Sequence, residues 1–269
     1  MSGDKIAPGW DCHVHVFDAQ ANVAPGHYQS THRPLAEIEA LAQCHGFGHL
    51  VLVQPSVYGT DNSLLLQALR ASQGRHRGVV VIDATVSDAA LQDMHQLGVR
   101  GVRFNLVSPA GNGSGAAQDF DALAPRLRSL GWHVQWYARP DDLPAIAALH
   151  EGSSLVAVLD HLAGLHAGLP SRQTAFSALE KLAALGAWVK LSGWYRLQAA
   201  PPYTALDDHT LQLSSLFDER MVWGSDWPHT SFGPDALPEY ASTLEPVIRN
   251  LSGPQKTSLW NTAPARLYA

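Results

Sequence analysis

Four times along the chain, a stretch with helical periodicity ends at a glycine and gives way at once to an apolar, β-branched run: C-H-G-F-G-H-L-V-L-V, H-Q-L-G-V-R-G-V-R-F, R-S-L-G-W-H-V-Q-W and A-A-L-G-A-W-V-K-L. Each reads as a helix capped at its C-terminus by Gly46, Gly98, Gly131 or Gly186 and followed by a buried strand. The repeating unit is therefore αβ. Continued along the chain, the pattern predicts strands near 10–17, 49–54, 78–83, 101–105, 133–137, 155–160, 188–192 and 221–225. Helical patterns fall near 34–45, 62–73, 87–97, 120–130, 141–150, 174–185, 205–217 and 236–250. Strict alternation argues a parallel sheet, and eight units in a chain of this size argue a single-domain α/β protein, a (β/α)8 TIM barrel over residues 1–269. An open doubly wound sheet would want G-x-G-x-x-G after its first strand, where this chain has A-Q-A-N-V-A-P-G.

A hydrophobic fraction of 46% is ample for one large core. With 18 basic against 24 acidic residues the formal charge is -6, which argues against a nucleic-acid partner. Only Cys12 and Cys44 are present, without C-x-x-C spacing, so a reducing compartment fits. No apolar run approaches the ~18 residues of a membrane span, and M-S-G-D-K lacks a signal core, so the expected location is cytoplasmic, away from membranes. Oligomeric state is left open.

In a barrel of this kind the chemistry belongs at the C-terminal ends of the strands. The first strand carries D-C-H-V-H-V-F-D, in which alternation puts His13 and His15 on one face, as a metal site or a pair of hydrogen-bonding groups would require. The second strand ends Gln54-Pro55-Ser56 and the fourth Arg103-Phe104-Asn105. The fifth to eighth end Gln135-Trp136-Tyr137, Asp160-His161, Ser192-Gly193 and Ser225-Asp226. An inert scaffold would not gather ionisable groups at strand ends in this density.

Taken in order, H-V-H, Q-P-S-V-Y-G-T-D-N, G-V-R-F-N, L-D-H-L-A-G, V-K-L-S-G and W-G-S-D-W-P-H resemble the amidohydrolase superfamily, and within it the lactone-hydrolysing branch that includes 2-pyrone-4,6-dicarboxylate lactonase. The resemblance implies a hydrolase that opens a small carboxylated lactone, 2-pyrone-4,6-dicarboxylate or a related sugar-acid lactone. Asp226 would activate water, with its pKa raised by partial desolvation between Trp223 and Trp227. His13, His15 and His161 would polarise the carbonyl. The branch is understood to need no metal, and Arg103, Asn105, Gln135 and Tyr137 stand where a binuclear site would have further ligands. Were a metal present, His13, His15, His161 and Asp226 would suffice for one zinc, and the alternative is then a metal-dependent decarboxylase of an aromatic or unsaturated acid.

Arg103 and Arg196 are expected to grip the carboxylate of an anionic small-molecule substrate, the alternative for each being a protein ion pair. Ser56, Tyr28, Tyr137 and Asn105 are further candidates for substrate binding. Lys190 is of undecided orientation. After R-F-N the chain reads L-V-S-P-A-G-N-G-S-G, without the basic residues expected for a second carboxylate, which leaves a monocarboxylated lactone open.

Overall fold

The computed structural model describes residues 8–23, 31–108, 111, 115–169, 173–230, 232 and 236–269. Eight parallel strands form one sheet in sequence order: β1 (Gly9–Val14), β2 (Phe47–Val53), β3 (Arg77–Val80), β4 (Val99–Asn105), β5 (His133–Tyr137), β6 (Ala157–Leu159), β7 (Trp188–Leu191) and β8 (Met221–Trp223). Between them run α1 (Leu35–Cys44), α2 (Ser63–Ala71), α3 (Asp88–Gln96), α4 (Ala116–Leu130), α5 (Leu143–His150), α6 (Gln173–Ala184) and α7 (Asp207–Phe217). The last strand is followed by α8 (Glu245–Asn250) and by short helical pieces from Gly253 to Leu267. The expected barrel is therefore present. Gly46, Gly98, Gly131 and Gly186 all adopt positive φ, from 67° to 98°, as a glycine ending a helix requires.

The expected helix at 236–250 is broken. A short 3-10 turn (Tyr240–Leu244) precedes α8, and Pro238 and Pro246 explain the interruption, since neither can donate within a helix. Among the described residues no helix is long and apolar enough to cross a membrane.

Apolar side chains alternate along the strands between two clusters. Leu50, Leu52, Val102, Phe104, Val134, Trp136, Val189, Leu191, Met221 and Trp223 join the large cluster that also holds the helix residues Ile38, Leu69, Leu127, Leu179 and Leu213, so they face the helical ring. Val51, Val53, Val79, Val158, Trp188 and Val222 join Cys12 and Tyr268 in a smaller cluster, which is the barrel interior. Strand parity then points His133, Gln135, Arg103, Asn105 and Lys190 inward as well. On β1 the pairing slips between Asp11–Leu50 and Val14–Leu52, so three steps oppose two. This bulge lets Cys12 face the interior while His13 and His15 line up above it.

The barrel closes on β1 by two backbone hydrogen bonds, from Asp226 N to His13 O (2.8 Å) and from His15 N to Trp227 O (2.9 Å). The closing seam thus places Asp226 against both histidines.

Candidate active site

Asp226 lies three residues past the end of β8, at φ 61°, completely buried. Its Oδ2 accepts hydrogen bonds from Arg196 Nε (2.6 Å) and the Tyr195 hydroxyl (2.7 Å). Its Oδ1 has no hydrogen-bond partner among the described residues and faces His15 Nε2 at 3.3 Å and His13 Nε2 at 3.6 Å. Burial alone would push this carboxyl up, as the sequence suggested. The Arg196 guanidinium in contact with it outweighs burial and holds the group well below the usual carboxylate range. The expected rise is therefore corrected to a fall. The physical reason is local: Trp223 points the other way, stacking on Phe47 with centroids 4.8 Å apart, while a guanidinium touches the carboxylate.

The hydrogen bonds of the imidazoles fix where their lone pairs point. His15 Nδ1 lies 2.7 Å from the carbonyl of Val53, which only accepts, so Nδ1 carries a hydrogen, and Nε2 faces Asp226 Oδ1 at 3.3 Å. His161 Nδ1 meets Ser192 Oγ at 2.9 Å, and the Tyr137 ring stands edge-on to the imidazole at 4.8 Å. Burial lowers the His161 pKa to about 4 and that of His13 well below its ordinary value. Two glycines make room here. A side chain on Gly193 (φ 60°) would collide with the His161 ring, and one on Gly224 would come within 2.5 Å of the His13 Cβ. The glycines of V-K-L-S-G and W-G-S-D thus have a steric cause.

His13, His161 and Asp226 each offer a ligand atom, all within 4.8 Å of one another. His13 Nε2 and Asp226 Oδ1, both buried and without a hydrogen-bond partner among the described residues, face each other, and both are electron-pair donors when His13 carries its hydrogen on Nδ1. That donor set fits one divalent cation, with His15 Nε2 adjacent, and it fits a water molecule giving hydrogens to both.

Above these groups opens a cavity of about 310 Å³ whose walls include His15, Phe17, Ser56, Arg103, Asn105, Tyr137 and Arg196. Five expected substrate residues thus share one wall; Tyr28 lies outside the described residues. Arg103 is buried and its Nε donates to Asp160 Oδ2 at 3.1 Å, so its charge is answered by an internal carboxylate even though it also borders the cavity. Arg196 is not a surface ion pair but a partner of Asp226, with its side chain 17% exposed. Asn105 Nδ2 donates to Ser56 Oγ (2.5 Å), and Asn105 Oδ1 accepts from the backbone of Val107 and Ser108, so this residue shapes the wall as well as lining it. A second cavity of about 460 Å³ shares Tyr137 and Arg196 with the first.

Lys190 resolves inward. It is fully buried and donates to Gln135 Oε1 (2.6 Å) and Cys12 O (3.0 Å). Sequence reasoning assigned no role to Asp160, Gln135, Tyr195 or His229. His229 has both ring nitrogens unpartnered among the described residues, a pKa lowered by burial to about 4, and an edge-on contact with Tyr195 at 5.3 Å. The motif G-S-D-W-P-H contained it, but nothing in spacing alone distinguishes a site histidine from a buried one.

The amidohydrolase family model matches residues 10–269. The chain is 31% identical to a 4-sulfomuconolactone hydrolase of Rhizobium radiobacter over 89% of this chain and 82% of that one. It is 30% identical to a 2-pyrone-4,6-dicarboxylate hydrolase of Comamonas testosteroni over 96% and 89%. A crystal structure described as a 2-pyrone-4,6-dicarboxylic acid hydrolase from Pseudomonas putida superposes with a TM-score of 0.87 at 33% identity, covering 98% of each chain.

Proposed function

The chain belongs to the amidohydrolase family, and from that premise we propose that it is a hydrolase opening the ring of a small carboxylated lactone, with Asp226 activating the attacking water. The single observation carrying this reading is Asp226 Oδ1, buried, ionised and unpartnered, directed at the imidazoles beneath a cavity bordered by two guanidinium groups. The relatives named for lactone hydrolysis support the reaction class.

In this mechanism Oδ1 accepts a proton from water as its oxygen adds to the lactone carbonyl carbon. The developing oxyanion is stabilised by the polar groups above Asp226. The bond from carbonyl carbon to ring oxygen then breaks, and the proton held by Asp226 passes to the departing oxygen. Tyr195 and Arg196 fix the other carboxylate oxygen, so Oδ1 keeps its aim. Because the fields around Asp226 keep it ionised, it is ready as an acceptor throughout the neutral range. The two arginines on the cavity wall favour an anionic substrate, and the uncharged loop after Asn105 favours one with few acid groups. A cytoplasmic location is part of this reading.

A second reading is favoured by the convergence of His13 Nε2 and His15 Nε2 on Asp226 Oδ1. In it His13, His15, His161 and Asp226 hold one divalent ion, which when bound would supply Lewis-acid polarisation of the carbonyl. The same donors would serve a metal-dependent decarboxylase. One experiment addresses reaction class and metal together: a panel of carboxylated lactones assayed with and without prior chelation. Ring opening that survives chelation supports the metal-free hydrolase. Ring opening lost on chelation supports the second reading, and decarboxylation without any ring opening sinks the proposal.

A further inference from the structure

Asp160, just past β6, is completely buried, and its Oδ1 has charged neighbours but no hydrogen-bond partner among the described residues. Its Oδ2 accepts from Arg103 Nε (3.1 Å) and Gln135 Nε2 (2.9 Å). Its Oδ1 lies 3.4 Å from His13 Nδ1 and 3.5 Å from Lys190 Nζ. The Gln135 amide has one possible sense, because its Oε1 accepts from Lys190 at 2.6 Å. Around Lys190 Nζ lie four possible acceptors: Gln135 Oε1 and Cys12 O at 3.0 Å or less, and Asp160 Oδ1 and His13 Nδ1, both at 3.5 Å. His13 Nδ1 thus stands between Asp160 Oδ1 at 3.4 Å, which can only accept its hydrogen, and Lys190 Nζ at 3.5 Å, which can only donate to its lone pair. A hydrogen given by Nδ1 to Asp160 leaves Nε2 as the lone-pair nitrogen turned to Asp226. One carboxylate thus touches both the imidazole beside the reacting centre and the guanidinium on the cavity wall.

We propose that Asp160 is a positioning residue that ties the anion grip of Arg103 to the orientation and tautomer of His13, with Lys190 and Gln135 holding it in place. A carboxylate accepting from a histidine fixes which nitrogen faces the site, and its loss costs about 10–100-fold in comparable second-layer positions. The same carboxylate holds Arg103, which borders the cavity, through Nε, a bond that uses neither terminal amine. His13 Nδ1 at 3.4 Å is long for a finished hydrogen bond, and such contacts shorten when substrate is bound. The proposal rests on the lactone-hydrolase reading only for its choice of kinetic substrates.

The test has two parts. In wild-type protein labelled with 15N-histidine, the His13 resonances, assigned by their loss in His13→Asn, should show hydrogen on Nδ1 and none on Nε2 at neutral pH. Hydrogen on Nε2 alone overturns the proposal with no other variant needed. Asp160→Asn should then lower kcat for every substrate and raise KM about 10-fold or more for a carboxylated lactone only, against an uncharged lactone of the same ring size. Because Asp160→Asn strands two buried cations, the same comparison is made in Asp160→Asn/Lys190→Met, which removes one cation with the anion. Equal losses on both substrates with the His13 tautomer unchanged show a merely structural role and overturn the proposal, as does activity within about threefold of wild type in the paired variant. Calorimetric binding of isophthalate serves if wild type opens no lactone. That result removes the lactone reading, whereas unchanged isophthalate affinity in the paired variant removes this one.

Discussion

Asp226→Asn is nearly isosteric, yet two separate losses follow from its surroundings. The first is chemical. An amide accepts no proton from water, and positioned acid–base help contributes about 10²–10⁴ in rate, so kcat/KM should fall by that factor, roughly 3–5 kcal/mol of transition-state stabilisation. The second is structural, because Arg196 Nε lies 2.6 Å from the carboxylate and would lose its anion. Breaking a buried pair by removing one partner costs about 3–5 kcal/mol. Arg196 retains 17% exposure and an approach to Thr230 Oγ1 at 3.3 Å, which reduces the expected cost to about 2–4 kcal/mol. For a chain of this size that corresponds to a Tm lower by roughly 5–12 °C. Adding Arg196→Met should restore much of the Tm without restoring the rate, since it removes the stranded charge but not the need for a base. Steady-state kinetics on a carboxylated lactone and a thermal melt of each variant check both parts. Activity of Asp226→Asn within a few-fold of wild type would refute the assignment of the base, and an unchanged Tm would refute the buried pair.

Arg103→Met should lower both the denaturation midpoint, by stranding Asp160, and kcat/KM for an anionic lactone, by an amount equivalent to about 2–5 kcal/mol; unchanged activity per folded molecule would remove Arg103 from substrate binding. His13→Ala, His15→Ala and His161→Ala should each cut kcat, and elemental analysis of the same preparations separates the two readings: about one zinc per wild-type chain, lost in these variants, would displace the metal-free mechanism. Stability should fall with acid. His133, His161 and His229 have pKa values lowered to about 3, 4 and 4, so between roughly pH 4 and 6.5 they take up protons only on unfolding. Asp11, raised to about 6, acts in the opposite direction by holding a proton that the unfolded chain releases. These four alone leave a net uptake of about two protons, and His13, lowered as well, adds to it, so the loss is at least about 2.7 kcal/mol per pH unit around pH 5; a flat denaturation midpoint from pH 6.5 to 4.5 would contradict it. Gly193→Ala should abolish activity by displacing His161 even if the chain still folds, and circular dichroism beside kinetics separates the two outcomes.

The barrel was legible because its signals are local and repeated. Four helices end at glycines whose φ lies near or in the left-handed region, and the strands that follow are apolar on the face that the helices cover. Where a signal depends on something other than periodicity, the reading slipped. The apolar content of 236–250 suggests a helix, but prolines at 238 and 246 decide the backbone. The bulge on β1 is invisible in D-C-H-V-H-V, since only the pairing with Leu50 and Leu52 reveals the extra residue.

The site was legible as a set of residue types at strand ends, but not as a network. Sequence places Asp226 between two tryptophans and so suggests desolvation; three-dimensional closure adds Arg196 and Tyr195 from the seventh strand's loop, and charge at 2.6 Å outweighs burial. Likewise Arg103 has apolar neighbours in sequence, so its partner had to come from elsewhere. It comes from Asp160, 57 positions along the chain but adjacent across the barrel. The five buried ionic groups, Asp160 and Asp226 with Arg103, Arg196 and Lys190, interlock rather than pair off, because Asp160 alone faces Arg103, Lys190 and His13. Arg103, Lys190 and Arg196 set three cations against the two carboxylates of Asp160 and Asp226 at the base of the cavity. The surplus positive charge is a reason, independent of any relative's name, for an acidic substrate to be drawn there.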